Sequence, residues 1–361
     1  MFLQPIIRIF SELLPPKLRY KVRAASLVRK ATVRNESFHC KALAGESDYN
    51  ITINSDMTVS CNCQDFDGFG RIGDLTRNSL KEVFSGPAAC KFRKMLAARK
   101  FPTPVCINCS ELELKPVEEV RERLSRYRVP YKGIQVGNTA RCNLRCHMCD
   151  REKLLALRGD KHSLSLGDVE KIALILKEYG IGCLRFYNLG EPFLPAEVHE
   201  QIRIIRKINP DIRITTLTNG QLLRGSKKIE AALSMDYIGI SLDGVNQDTV
   251  SKYQVGANFE NAYNNMVTLV SERKAQTGRA PIIEWIYVLF RWNDHPEHIA
   301  KAIELAKKAN VDMIGFYRGD VRYADRSFRW YYHPYFKQLG KTANDRVLVN
   351  LNNIPPHQLC P

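Results

Sequence analysis

From residue 131 onward the apolar positions switch repeatedly between a period of two and a period of three to four. IQVGN is followed by SLGDVEKIALILKEYG, CLRFYNLG by AEVHEQIRIIRKIN, and IRITTLTNG by GSKKIEAALS. YIGISLDG then precedes NFENAYNNMVTLVSERK, IIEWIYVLF precedes PEHIAKAIELAKKAN, and DMIGFYRG closes the series. The pattern predicts six strands and five crossover helices. In the first helix Val169, Ile172, Ala173 and Leu176 share one face, Ser165 can cap the start with Asp168 three residues on, and Gly180 can end it. Short β-branched strands alternating with amphipathic helices imply an α/β fold. Its sheet is parallel with right-handed crossovers, either doubly wound or curled into a barrel. In both, reactive groups belong at the C-terminal ends of the strands.

Upstream the pattern differs. YNITINSDMTVSCN alternates and predicts a hairpin turning near Ser55 and Asp56. It lies in a cysteine-rich block, 36–114, that holds Cys40, Cys61, Cys63, Cys90, Cys106 and Cys109. KPVEEVRERLSRYRVP reads as a charged linking helix over 115–130 that ends at Pro130. The expected organisation is therefore a basic segment at 1–35, the cysteine-rich block, the linker, a strand–helix unit at 131–320, and a tail at 321–361.

With 361 residues, 44% apolar and 25% charged, the composition excludes disorder, collagen and a coiled coil. Lys and Arg exceed Asp and Glu by 54 to 38, which favours an acidic partner: nucleic acid, an anionic membrane or a phosphorylated substrate. Much of that surplus is local, since eight basic residues face only Glu12 within 1–35. An amphipathic helix on a membrane surface is one reading of this segment. A terminal helix packed on the body is favoured, because Pro5, Pro15 and Pro16 limit helix length. No uncharged apolar run of about 18 residues occurs and no secretory signal is evident, so a cytoplasmic location is expected. The eleven cysteines are clustered with short gaps, which suits thiolate ligands better than disulfides.

RCNLRCHMCD places Cys142, Cys146 and Cys149 as CxxxCxxC directly after the first strand. Three thiolates leave one iron of a 4Fe-4S cluster without a protein ligand, and an open position lets a metal centre bind a small molecule. The same thiols fit a zinc site completed by His147 or a distant residue. The later strand ends separate these readings. NLGEP at 188–192, LTNG at 217–220 and ISLDG at 240–244 follow the second, third and fourth strands. Together with the cysteine motif they resemble the radical S-adenosylmethionine (radical SAM) superfamily over 131–320. The resemblance implies a partial (β/α)6 TIM-like barrel in which Cys142, Cys146 and Cys149 hold a 4Fe-4S cluster. S-adenosylmethionine would occupy the open iron and be cleaved to a 5'-deoxyadenosyl radical that abstracts a substrate hydrogen.

By the same resemblance, NLGEP looks like the family's GGEP element, with Leu189 in place of the first Gly, and Gly190 and Glu191 would hold the cofactor's amino group. Asn219 falls in LTNG. Ser241 matches the position that approaches the ribose, with Asp243 beside it, and Met148 takes the place that positions the adenine. Asn293 after the fifth strand is a further cofactor candidate. Gln254 stands where relatives often have an Arg that reaches the cofactor carboxylate; an amide lacks the guanidinium's charge-assisted pair.

Cys40, Cys61 or Cys63, Cys106 and Cys109 offer four ligands for a second centre. Their surroundings are similar to the SPASM or twitch modules, which carry auxiliary iron-sulfur clusters and normally follow the barrel. A structural zinc ribbon on the same thiols is the competing reading. Cys90 and Cys183 read as inert core thiols, and Cys360 as a spare thiol or the start of a further module. The tail carries Arg318, Arg322, Arg326 and Arg329 among aromatics and reads as a solvated surface with a few packed rings. The resemblance implies a low-potential electron donor such as a flavodoxin or ferredoxin. It also implies a peptide or a small carbohydrate-like substrate, oxidatively modified. The alternatives are a basic nucleic-acid-binding zinc protein, a radical enzyme acting on RNA, and a membrane-surface scaffold using 1–35.

Overall fold

The computed structural model describes residues 15–63, 65–275, 281–319, 325–339 and 346–354. Residues 1–14, Arg322 and Cys360 lie outside them. The first part of the chain forms β1 (Glu36–Cys40), β2 (Thr52–Ile53), β3 (Thr58–Ser60), β4 (Arg71–Asp74) and β5 (Leu112–Pro116). Beyond residue 131 come β6 (Gly133–Val136), β7 (Cys183–Arg185), β8 (Arg213–Thr218), β9 (Tyr237–Ser241), β10 (Ile282–Leu289), β11 (Met313–Arg318) and β12 (Arg346–Asn350).

β6 to β11 are parallel neighbours in chain order. The helices Leu166–Glu178, Val198–Ile208, Ser226–Leu233, Phe259–Lys274 and Pro296–Ala309 connect them in turn. This is a partial TIM-like barrel. The first crossover helix begins with a reciprocal cap in which Ser165 Oγ accepts from the Asp168 N–H at 3.2 Å and Asp168 Oδ2 accepts from the Ser165 N–H at 3.0 Å. It ends at Gly180, whose φ of 60° is the left-handed conformation a helix terminus needs.

The two faces of the sheet differ in chemistry. Trp285 on β10 packs its ring against Tyr263 of the helix Phe259–Lys274, which marks the helix-covered face. Glu284, its neighbour in sequence, therefore points to the other side, the barrel lumen. There its carboxylate accepts hydrogen bonds from the hydroxyls of Tyr237 and of Tyr317, the latter at 2.6 Å. Gly315 leaves the space for this group, since a Cβ there would overlap Glu284 Oε1.

Three features depart from the expectation. β2 pairs in parallel with β6, so the hairpin of the cysteine-rich block extends the barrel sheet instead of closing on itself. The linking helix spans only Val117–Arg123. The chain beyond it lies against 44–45, where the Arg128 N–H donates to the Ala44 carbonyl at 3.1 Å and Gly45 meets the Arg128 carbonyl too closely for any side chain. The tail folds back as well: β12 adds antiparallel to β11, and Trp330, Phe336 and Val347 are buried. The helix Pro16–Val33 packs on β1 and on the turn Pro104–Asn108 through Leu27, Val28 and Ala31. No helix among the described residues is long and apolar enough to cross a membrane.

Burial raises the Glu284 carboxyl above its ordinary range, against the lowering effect of its two tyrosine bonds. An acid raised in the folded state binds more protons folded than unfolded, so its contribution to stability falls as pH rises above about 4.5. The melting temperature of the wild type relative to Glu284→Gln is expected to decline between pH 5 and pH 8 by calorimetry; a difference that rises with pH would contradict it.

Candidate active site and cysteine centres

Cys142, Cys146 and Cys149 occupy the loop between β6 and the helix Arg151–Arg158, beyond the C-terminal end of β6. The loop is laid on a neighbouring strand of chain: the Arg145 N–H donates to the Val255 carbonyl at 2.9 Å and the His147 N–H to the Tyr253 carbonyl at 2.7 Å. Met148 has φ of 69°, a left-handed residue between two of the thiols. His147 is exposed, and Cys142, Cys146 and Cys149 are half-buried.

Burial is the main cause that pushes all three thiols above their ordinary range. Negative charge on Glu191 and Cys149 adds to the effect at Cys142, and on Asp243, Cys149 and Cys142 at Cys146. The buried guanidinium of Arg151 opposes it at Cys142 and Cys149. Buried thiols of this kind become thiolates when a cationic centre joins them. Among the described residues, no three His, Cys, Asp or Glu side chains converge closely enough for a single metal ion. A cubane spreads its ligands more widely than one tetrahedral ion does.

The other expected site residues surround this loop in different ways. Gly190 is needed for close approach, because a Cβ would overlap the Thr139 carbonyl oxygen. The Glu191 N–H donates to the Arg141 carbonyl at 2.8 Å. Its fully buried carboxylate accepts from Thr218 Oγ1 at 2.6 Å, the Asn219 N–H at 2.9 Å and the Phe193 N–H at 3.1 Å. Burial raises this carboxyl and those bonds lower it. Asn219 Nδ2 donates to Asn143 Oδ1 at 3.0 Å and lies 3.7 Å from Cys142 Sγ.

Ser241 ends β9 half-buried. Asp243, held by the Val288 N–H at 2.8 Å, is pushed up to about 7 by burial. Gln254 bridges the two, donating to the Ser241 carbonyl at 3.0 Å and accepting from the Asp243 N–H at 2.9 Å. Its amide is thus engaged with backbone. The same holds for Asn293, whose Nδ2 donates to the Asp243 and Val288 carbonyls, both at 2.9 Å, while Oδ1 accepts from the Phe290 N–H at 2.6 Å. Asn293 is placed as a fastener of the loop, with both amide hydrogens spent. Arg151 was not foreseen; the signal available was its position two residues past Cys149.

In the cysteine-rich block Cys40, Cys61, Cys106 and Cys109 line one small cavity with Leu43, Phe92 and Leu96. Burial pushes Cys40 up to about 12 and Cys61 well above the ordinary range, and the neighbouring thiols Cys106 and Cys109 add to the effect at both. Burial pushes Cys63 up to about 11, with negative charge on Cys109 adding to the effect and the Arg185 guanidinium of β7 opposing it. Ser60 stands opposite Thr52, and Thr52 opposite Gln135. Because β2 is parallel to β6 and β3 is antiparallel to β2, the chain leaving Ser60 heads toward the N-terminal end of β6. The two cysteine groups therefore lie toward opposite ends of β6. Cys90 sits in the helix Pro87–Ala97, where its Sγ donates to the Ser85 carbonyl at 3.3 Å.

A family model described as the radical SAM superfamily matches residues 139–320, half of the chain. The chain belongs to the radical SAM superfamily. A second model, SPASM, described as an iron-sulfur cluster-binding domain, matches residues 40–110. The cofactors of this radical SAM chain are a 4Fe-4S cluster, S-adenosylmethionine and an auxiliary iron-sulfur cluster. A probable GTP 3',8-cyclase of Methanothermobacter thermautotrophicus is 32% identical over 125 residues, 34% of this chain and 39% of that one. Another, from Saccharolobus solfataricus, is 28% identical over 193 residues, 53% of this chain and 58% of its own. The radical SAM chain thus spans less than two thirds of these relatives. Among solved structures, TYW1 with a lysine-pyruvate adduct bound is similar at TM-score 0.42 and 16% identity over 62% of this chain and 81% of that chain. Native anSMEcpe with bound AdoMet gives 0.41 and 19% over 54% and 56%.

Gly190→Ala is expected to lower stability by about 3 kcal/mol, since backbone at 139–141 must move. Gly167→Ala, whose Cβ would meet only Ser165 Oγ at 3.9 Å at the start of a helix, is expected to gain about 0.5 kcal/mol. Urea unfolding of the two variants side by side checks the contrast.

Proposed function

We propose that the barrel lumen between the two cysteine groups is the reaction chamber of a radical SAM enzyme that oxidatively modifies a small polar substrate. The observation that carries this reading is the placement of the two groups toward opposite ends of β6. When bound, the clusters and S-adenosylmethionine supply a 5'-deoxyadenosyl radical for hydrogen abstraction and an acceptor for the electron left behind.

The chain's own residues have distinct tasks in this reading. Cys142, Cys146 and Cys149 bind the cluster with one iron left open. Asn219 orients Cys142 through its amide, and Arg151 offsets the negative charge gathered there. Glu191 fixes the loop after β7 to the end of β8, and Gln254 and Asn293 fix the loops after β9 and β10. Met148, Gly190, Ser241 and Asp243 stand along the same rim, where they would contact S-adenosylmethionine. Cys40, Cys61, Cys106 and Cys109 bind the auxiliary cluster, and Cys63 stands outside the cavity that these four line. The activity named for these relatives concerns a nucleotide, which supports a small polar molecule over a long peptide.

Anaerobically purified protein with S-adenosylmethionine and dithionite is expected to release 5'-deoxyadenosine and to hold about eight iron atoms per chain. Replacing Cys142, Cys146 and Cys149 together with Ala should abolish the nucleoside and leave about four irons. Colourless protein that holds only zinc and leaves the sulfonium intact would overturn the reading. The ligand set has its own check: Cys61→Ala is expected to lose about four irons and Cys63→Ala to retain them, by iron and sulfide analysis.

A further inference from the structure

The helix Pro16–Val33 has two apolar sides where the fold uses one. Leu27, Val28 and Ala31 join the core, where the helix rests on β1 and on the turn Pro104–Asn108 that carries Cys106. At about 3.6 residues per turn, Leu18, Val22, Ala25 and Val33 form a second stripe on the opposite side. That stripe faces solvent: Leu18 and Val22 are each 46% exposed and Val33 is 79% exposed. Large apolar residues aligned on an exposed face mark an interaction site, as single scattered ones do not.

The charge around the stripe has one sign. Lys21, Arg23, Arg29 and Lys30 are exposed, Arg29 within the stripe and the others at its flanks. Among the described residues none of these four pairs with an acid, and the sequence from Leu13 to Asn35 holds no Asp or Glu. A nucleic acid would meet the cations with phosphates but offers no apolar layer to Leu18, Val22 and Val33. A lipid surface offers both: basic side chains reach anionic headgroups while an apolar stripe between them enters the acyl boundary. In sequence, residues 1–14 add nine large apolar side chains with only Arg8 and Glu12 charged, which lengthens the apolar contribution.

We propose that the solvent-facing side of the helix Pro16–Val33 rests on an anionic lipid membrane. The helix is not apolar enough to cross a bilayer, so it lies in the plane of the interface. Packing on the body and contact with lipid use opposite sides of one helix. Because the inner side sits on the turn that carries Cys106, attachment places the cysteine-rich block next to the bilayer.

Flotation of the cluster-loaded full chain with lipid vesicles tests this. Binding is expected to vesicles of equal parts phosphatidylcholine and phosphatidylglycerol and not to phosphatidylcholine alone, and it should weaken in about 0.5 M salt. Each Lys or Arg near an anionic surface strengthens attachment about fivefold, so Lys21→Gln, Arg29→Gln and Lys30→Gln together are expected to weaken it about a hundredfold. Leu18→Ser with Val22→Ser leaves the charge unchanged and should weaken it about tenfold through lost apolar area. All five positions are exposed, and iron content and melting temperature confirm that both variants fold. Equal binding to neutral vesicles, no binding to anionic ones, or anionic binding unchanged in either variant overturns the proposal. An oligonucleotide or an acidic protein bound through Lys21, Arg29 and Lys30 while vesicles stay unbound also overturns it.

Discussion

Six strands running the same way must deliver all their C-terminal ends to one rim. On that rim the sheet ladder has ended, and every loop must satisfy its backbone by other means. Here each loop is fastened by its neighbour: Glu191 to Arg141, Thr218 and Asn219, Gln254 to Ser241 and Asp243, and Asn293 to Asp243 and Val288. The CxxxCxxC loop is laid on the backbone at Tyr253 and Val255. The rigidity of the site is thus inherited from the parallel register, through side chains whose polar atoms are consumed in holding loops.

The second constraint is electrostatic. Burial is the largest cause acting on Cys40, Cys61, Cys142 and Cys146, and it opposes their ionisation. Without a cationic centre they remain neutral and lie in a medium of low polarity. Cluster binding therefore removes protons and contributes free energy to the folded state, as for other thiolate metal sites. The helix Pro87–Ala97 supplies Phe92 and Leu96 to the auxiliary cavity, so apolar packing and metal binding support the same small unit.

Much of this was legible in the sequence where a local rule sufficed. The cap at Ser165 and Asp168, the alternation of strand and helix, and the hairpin turning near Ser55 and Asp56 all depend on short-range chemistry. What was not legible depends on partners distant in the chain. A two-residue strand such as β2 has no signature that tells which edge it will join. The linker helix stops at Arg123 and the chain after it is bonded to Ala44 through Arg128, a partner far away in sequence, and β12 was hidden in a tail read as surface. The motifs name Glu191, Gln254 and Asn293 but not the loop backbone and the Thr218 hydroxyl that their side chains bond, because those partners come from other strand ends. That Thr52, Gln135, Arg185 and Thr215 stand opposite one another on adjacent strands was visible only as isolated polar letters inside apolar strands, such as Gln135 between Ile134 and Val136. Only register joins them.

Chain order matters less to this architecture than strand direction. β6 opens the barrel, and its outer edge is available to any segment that can offer a strand, whether it precedes or follows the barrel. Because β2 joins in parallel, the hairpin's turn is carried toward the rim and its open end toward the opposite side. The turn is held there by Arg158, whose buried guanidinium donates to Thr58 Oγ1 at 2.9 Å and pairs with Asp56 at 3.3 Å. Arg158 ends the helix that starts just after Cys149, so the hairpin is fastened to the first centre at its turn and bears Cys61 of the second at its open end. An antiparallel β2 would have brought both cysteine groups to the same rim and left no lumen between them. The sense of one short strand pair thus decides whether the two centres face each other across a chamber or crowd a single mouth.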